Sequence, residues 1–141
     1  MRRFVGWLAV VALVGAALWA LTAWPLLNDV ETGKTPEYPD LQVRTYSASL
    51  DRVGDAVREA LTDRPGWTVV GSGQGPGGVA LSLVHETPLL RLKDDVTVKA
   101  RRKGGQTVVS VRSQSRVGMW DFGQNARNIR ELLQALDAEL R

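Results

Sequence analysis

From Phe4 to Leu27 the chain reads FVGWLAVVALVGAALWALTAWPLL, 24 residues without a charge. As a helix rising about 1.5 Å per residue this run spans about 36 Å, enough to cross the roughly 30 Å hydrocarbon core of a bilayer. Trp7 and Trp24 stand near its two ends, where indole rings favour the headgroup interface, and Pro25 predicts a helix end on the far side. Arg2 and Arg3 precede the run, and Asp29 and Glu31 follow it. The positive-inside rule therefore predicts a single-pass protein of the plasma (inner) membrane, with a cytoplasmic N-terminus and an extracytoplasmic domain. A cleaved signal peptide with secretion is the alternative. Such peptides have an apolar core of about 7 to 15 residues and a small-x-small cleavage site, and no clean site stands between Trp19 and Pro25.

With residues 1–27 assigned to the cytoplasmic N-terminus and the anchor, the remainder suffices for one compact domain with a modest core and leaves no room for a second. Cysteine is absent, which excludes disulfides, thiolate metal sites, a nucleophilic thiol and a lipidated cysteine. The formal net charge is +3. Without Arg2 and Arg3 the chain is nearly balanced, and a general nucleic-acid binder would be more basic. The balance hides an asymmetry: residues 28–88 hold 5 basic and 9 acidic side chains, residues 89–141 hold 11 and 6. The second half is the positive one.

Residues 28–40 (NDVETGKTPEYPD) are polar with two prolines and a glycine, which predicts an extended linker. The domain then occupies 41–141. Leu41, Val43 and Thr45 alternate with Gln42, Arg44 and Tyr46, predicting a first strand. Leu50, Val53, Val57, Ala60 and Leu61 recur at helical spacing behind the N-cap candidate Ser49. Residues 67–70 and 79–85 read as strands of a loose hairpin joined by the glycine-rich GSGQGPGG. The clearest hairpin runs from Asp95 to Arg102 and from Gln106 to Arg116, because Gly104-Gly105 supplies the positive φ angles of a two-residue turn. If Lys103 faces Gln106, then Ala100 faces Val109, Val98 faces Val111 and Val96 faces Ser113. Asp95, opposite Gln114 on the other face, then has Arg112 and Arg116 as diagonal neighbours. A last helix carries the stripe Ile129, Leu132, Leu133, Leu136 and Leu140, opened by Asp121-x-x-Gln124, an acidic form of the capping box. The predicted fold class is α+β: an N-terminal transmembrane helix, then one domain of order β-α-β-β-β-β-α, with a five-stranded antiparallel sheet and both helices packed on one face.

The stretch KDDVTVKARRKGGQTVVSVRSQSRVGMWDFGQNARNIREL resembles the signature of the uncharacterised family known as domain of unknown function 1499 (DUF1499), and the similarity covers most of residues 36–140. Its marks are a paired Asp-Asp opening a strand (Asp94-Asp95), Arg-Ser-x-Ser-Arg-x-Gly (Arg112 to Gly118), and Asp-x-Gly-x-Asn leading into the last helix (Asp121 to Asn125). Lys93 and Asn128 stand where members often carry an aromatic and an arginine. The resemblance implies no known reaction. It does imply an N-terminal membrane or export segment, in agreement with the hydropathy.

The candidate binding or structural cluster is Asp94, Asp95, Arg112, Ser115, Arg116, Asp121, Asn125 and Arg127. One reading makes Asp95, Arg112 and Arg116 an ion-pair network that fixes the hairpin register. The sharper one lets Arg116 and the free amides of Gly123 and Gln124 hold an anion, for which an anionic lipid or acidic envelope polymer is the fitting partner. Asp121, as an N-cap, competes for the same amides. No metal, cofactor or catalytic group is assigned. The sole histidine, His85, lacks partners at ligand spacing and reads as structural. GSGQGPGG precedes a strand and so lacks the helix N-terminus of a phosphate loop. Serines are plentiful, yet none lies in a G-x-S-x-G elbow. Asp94 and Asp95 point to opposite faces of their strand, which separates the two carboxylates. The expected function is a non-enzymatic binding or assembly module at the cell envelope. Its expected partners are the bilayer, through residues 4–27, and an anionic lipid or envelope polymer. An accessory subunit with a membrane-protein partner is the first alternative. A cryptic hydrolase is the second, and it requires His85 or Asp94 to meet another titratable group in a pocket, whereas the reading places them apart on the surface.

Overall fold

In the computed structural model, which describes residues 2–141 and side chains from Val5 onward, the apolar run forms α1 (Arg2–Ala23). Val5–Ala23 is long and apolar enough to cross a membrane, a property that anchors and signal segments share. Met1 and the side chains of Arg2 and Arg3, which give the expected orientation its positive end, lie outside the described residues, as does the side chain of Phe4. The helix stops four residues short of Leu27 because Pro25 disfavours helical backbone at Trp24. Leu27 already packs on the domain core.

The domain contains β1 (Asp29–Glu31), β2 (Arg44–Tyr46), α2 (Leu50–Leu61), β3 (Trp67–Gly75), β4 (Gly78–Glu86), β5 (Lys93–Lys103), β6 (Gln106–Ser115) and α3 (Gln124–Leu140). They build the expected α+β fold on an antiparallel sheet of order β1-β6-β5-β4-β3. It has six strands where five were expected. The extra one is β1, which pairs with Arg112–Gln114 while β2 pairs with Thr107–Val109, so two short strands share one edge of β6.

β1 corrects the linker expectation for residues 28–40. Val30 is fully buried, Thr32 and Tyr38 are buried, and Arg130 of α3 donates two hydrogen bonds to Asp40. The polar composition misleads because a three-residue edge strand needs only one inward side chain. The strand expected at 41–46 shrinks to its last three residues, with Tyr46 inward and Val43 exposed. Leu41 is held in a turn by the hydrogen bond its amide donates to the Tyr38 carbonyl, so the alternation read from Leu41 does not continue into β2. Tyr46 fastens β2 to α3 through a 2.7 Å bond from its hydroxyl to Asp137.

The inner face of the sheet presents Leu81 and Leu83 from β4, Val96 and Val98 from β5, and Val109 and Val111 from β6. The β5–β6 register is the expected one at every pair, from Lys103↔Gln106 to Val96↔Ser113. α2 is capped by the Ser49 hydroxyl, which accepts from the Arg52 amide, and buries Val53, Ala56, Val57 and Leu61. α3 buries Ile129, Leu132, Leu133 and Leu136 beside it. The glycine-rich segment is not a loop: residues 71–75 are paired strand, and the turn narrows to Pro76-Gly77, with Gly77 at φ +81°. Val69 and Gly71 flank a bulge, the irregularity that glycine tolerates in a strand.

Candidate functional site

Alternation along β5 turns Asp94 inward and Asp95 outward. Asp94 is only 2% exposed at the mouth of the sheet beneath α3. The Ser115 hydroxyl donates to its Oδ1 at 2.9 Å and Asn128 Nδ2 donates to its Oδ2 at 2.8 Å. His85, the β4 residue paired with Asp94, places Nδ1 3.7 Å from Oδ2. Burial alone would raise the Asp94 pKa, but the His85 ring, Asn128 and Ser115 together hold it below the ordinary carboxylate value.

The network extends outward. Asn125, one turn before Asn128 on the same face of α3, donates to Ser115 Oγ at 2.8 Å and to the Asn28 carbonyl at 3.0 Å, and accepts from Ser113 Oγ at 2.6 Å. Ser113 and Ser115 share the inner face of β6 by strand alternation, so α3, β5, β6 and the chain entering β1 are tied at one end of the sheet. Ser113, Asn128 and His85 are the members that sequence reasoning missed. Only the i, i+3 spacing of the two asparagines signals them in the sequence. His85 and Asp94 were expected apart on the surface. They meet instead, because both are inward at one register position, and His85 is 7% exposed with its ring 4.8 Å from that of Trp67.

The cluster predicted around Asp95 divides. Arg116 takes Asp95 with both ends of its guanidinium, while Arg112 turns across to Asp29 of β1. The Gly123 and Gln124 amides expected to receive an anion already have acceptors: Asp121 takes that of Gly123 through its carboxylate and that of Gln124 through its carbonyl, and its carboxylate also takes the amide of Asn125. Gly123 adopts φ +76° and is itself the N-cap, so α3 starts two residues later than a capping box on Asp121 requires, and the Gln124 side chain bonds Asn128 instead of reaching back. Arg127 donates to the Phe122 carbonyl and to Gln124.

Beside this network the loop between β4 and β5 (residues 87–92) and the segment 117–122 enclose a pocket of about 290 Å³. Leu89, Leu90, Val117, Trp120 and Phe122 form its apolar wall; Asp94, Ser115, Asp121 and Gln124 line its polar side. The wall faces water: Leu89 is 89% exposed, Leu90 70% and Val117 68%. Among the described residues, the two non-glycine residues with left-handed φ are Arg91 at 54° and Phe122 at 52°, one in each flanking segment. A bulky residue in that region costs about 1 to 2 kcal/mol, and such strain concentrates at ligand sites. Trp120 stacks on Phe122 at 4.1 Å, Phe122 meets Trp24 edge-on at 6.4 Å, and Trp120 Nε1 is buried without a hydrogen-bond partner. The pocket thus opens at the end of the sheet where α1 joins.

The fold and site define a class: a single antiparallel sheet covered on one face by two helices, closed at one end by a buried Asp-Ser-Asn network, and preceded by a long apolar helix. The chain belongs to the family of proteins of unknown function DUF1499, whose model matches residues 22–136. That match begins upstream of β1, in accord with the 28–40 segment being part of the domain. No curated protein matches the chain. Among solved structures it is similar to the Mll3558 protein from Rhizobium loti, at 20% identity over 79% of this chain and 96% of that one, with a TM-score of 0.45. It is also similar to the TTHA0849 protein from Thermus thermophilus, at 12% identity over 79% and 95% of the two chains, with a TM-score of 0.37.

Proposed function

We propose that this protein is a non-enzymatic module that binds the apolar chain of an amphiphile at the outer face of a membrane, with α1 as its anchor. The observation that carries this reading is the position of the 290 Å³ pocket, whose exposed apolar wall abuts the end of α1 through Trp24 and Phe122. That volume lies just below the roughly 300 to 1,000 Å³ typical of small-molecule sites, which suits part of one lipid tail and not a polymer. The ligand's polar group is the point at which the anionic expectation changes. Arg112 and Arg116 are engaged by Asp29 and Asp95, and the polar side of the pocket offers the carboxylates of Asp94 and Asp121. A hydroxyl or amine suits that surface better than a phosphate. His85 and Asp94 do meet beside the pocket, as the hydrolase alternative requires; the non-enzymatic reading rests on the Ser115 hydroxyl, which donates to the Asp94 carboxylate and not to the imidazole.

The test is native mass spectrometry of the full chain extracted from its own membrane in mild detergent. The wild type should carry a stoichiometric lipid, Val117→Trp, which fills the pocket, should lose it, and the Arg112→Ala, Arg116→Ala double variant should keep it. A bare wild-type protein overturns the proposal. A co-purifying protein subunit in place of the lipid replaces it with the accessory-subunit reading.

A further inference from the structure

We infer that the loop 87–92 and the segment 117–122 are themselves seated in the lipid headgroup layer, forming a second membrane contact besides α1. Leu89, Leu90, Val117 and Met119 are 68 to 89% exposed, and Leu26, just after α1, is 64% exposed. Contiguous apolar surface of this kind marks an interaction site. What covers it is decided by the covalent path. α1 ends at Ala23, and only four residues separate it from Asn28, whose side chain donates to the Gly118 carbonyl at 2.6 Å and whose own carbonyl accepts from the Ser115 amide at 2.8 Å. The Leu27 carbonyl accepts from the Asp121 amide at 2.9 Å. A Cβ on Gly123 would fall 2.5 Å from the Trp24 ring, so the indole lies directly on the turn that presents Phe122. With α1 across a bilayer, Trp24 sits at the interface, and these bonds carry residues 117–122 to the same level.

The charges nearby fit a neutral surface. Arg91, Lys93 and Arg127 are balanced by Glu86, Asp94 and Asp121, and Arg116 pairs with Asp95. Seating is therefore driven by apolar burial and is expected on zwitterionic lipid without anionic lipid or low salt.

The inference rests on α1 spanning the membrane and not on the pocket holding a ligand. Because the chain contains no cysteine, single probes can be placed without background. Met119→Cys and Leu89→Cys, both at exposed positions, would carry an environment-sensitive fluorophore in the full chain reconstituted into phosphatidylcholine vesicles, with Leu13→Cys in α1 and Lys103→Cys at the far turn as references. The expected result is a blue-shifted emission at residues 89 and 119, quenched roughly two-fold or more by lipids bearing a shallow nitroxide, as befits a depth of about 5 to 10 Å. Lys103 should stay aqueous and Leu13 should respond to a deep nitroxide. Aqueous emission at 89 and 119 with a lipid-quenched Leu13 overturns the inference while leaving the anchor intact. A blue shift without lipid quenching means that protein covers the loops, which also overturns it. An aqueous Leu13 removes the anchor and this inference together.

Discussion

Removing the Asp94 carboxylate leaves Asn128 Nδ2 and Ser115 Oγ facing a void, and buried donors without acceptors cost about 1 to 3 kcal/mol each. Asp94→Ala should therefore lower unfolding free energy by about 3 kcal/mol, read as a shift in urea midpoint at neutral pH. A shift no larger than that of a surface substitution would show that the network contributes no net stability. The same residue sets part of the acid response. Its folded pKa is depressed, so its stabilising contribution is complete above the unfolded value of about 4 and is lost as pH falls through the folded value. Asp94→Asn, which does not titrate, should flatten that part of the acid limb. At this scale the sequence was half legible. Strand alternation separates Asp94 from Asp95 without any structure, but the partners of Asp94 come from β4, β6 and α3, and nothing local ties Asn128 to a carboxylate 34 positions away.

Val30 is the element-scale counterpart. A linker residue tolerates truncation, whereas Val30 is fully buried in β1, so Val30→Ala should destabilise the domain by about 2 kcal/mol through lost burial and the cavity left behind. Chemical denaturation of the full chain in detergent measures it, and an unchanged midpoint would return residues 28–31 to the status of a tether. β1 was illegible because Asp-Val-Glu has neither length nor a β-rich composition, and its pairing is decided by the free edge of β6. The β5–β6 hairpin was legible to the residue because two signals agreed: Gly104-Gly105 fixes the turn, and the valines fix the face. In β3 the signals conflicted. Gly71, Gly73 and Gly75 read as a loop, yet pairing with β4 supplies the order that their own propensity withholds.

On the scale of the whole molecule, the fold class followed from periodicity, since two period-3.6 segments, those of α2 and α3, bracket the run of strands in which β5 and β6 keep a period of two. The pocket did not follow, because residues 87–92 and 117–122 are apolar without any period, and their partners are not sequence neighbours. Sidedness belongs to this scale too. In sealed membrane vesicles with the extracytoplasmic face outward, added protease should digest the domain and leave α1 as a protected fragment, while inverted vesicles should protect the whole. The opposite pattern would reverse the topology, and a mature chain lacking residues before Trp24 by intact mass would make α1 a signal segment. With α1 retained, its junction to the domain has a mechanical meaning. Trp24 and Leu27 are both fixed to residues 121–123, so the domain has no slack at its root and turns with the helix. The 11 residues of β5 make a lever of about 36 Å from that root to the Gly104-Gly105 turn. A helix tilt of about 20°, ordinary in bilayers and larger where the bilayer thins, would swing that tip by up to about 12 Å. The outermost turn would then act as a pointer whose deflection registers membrane thickness.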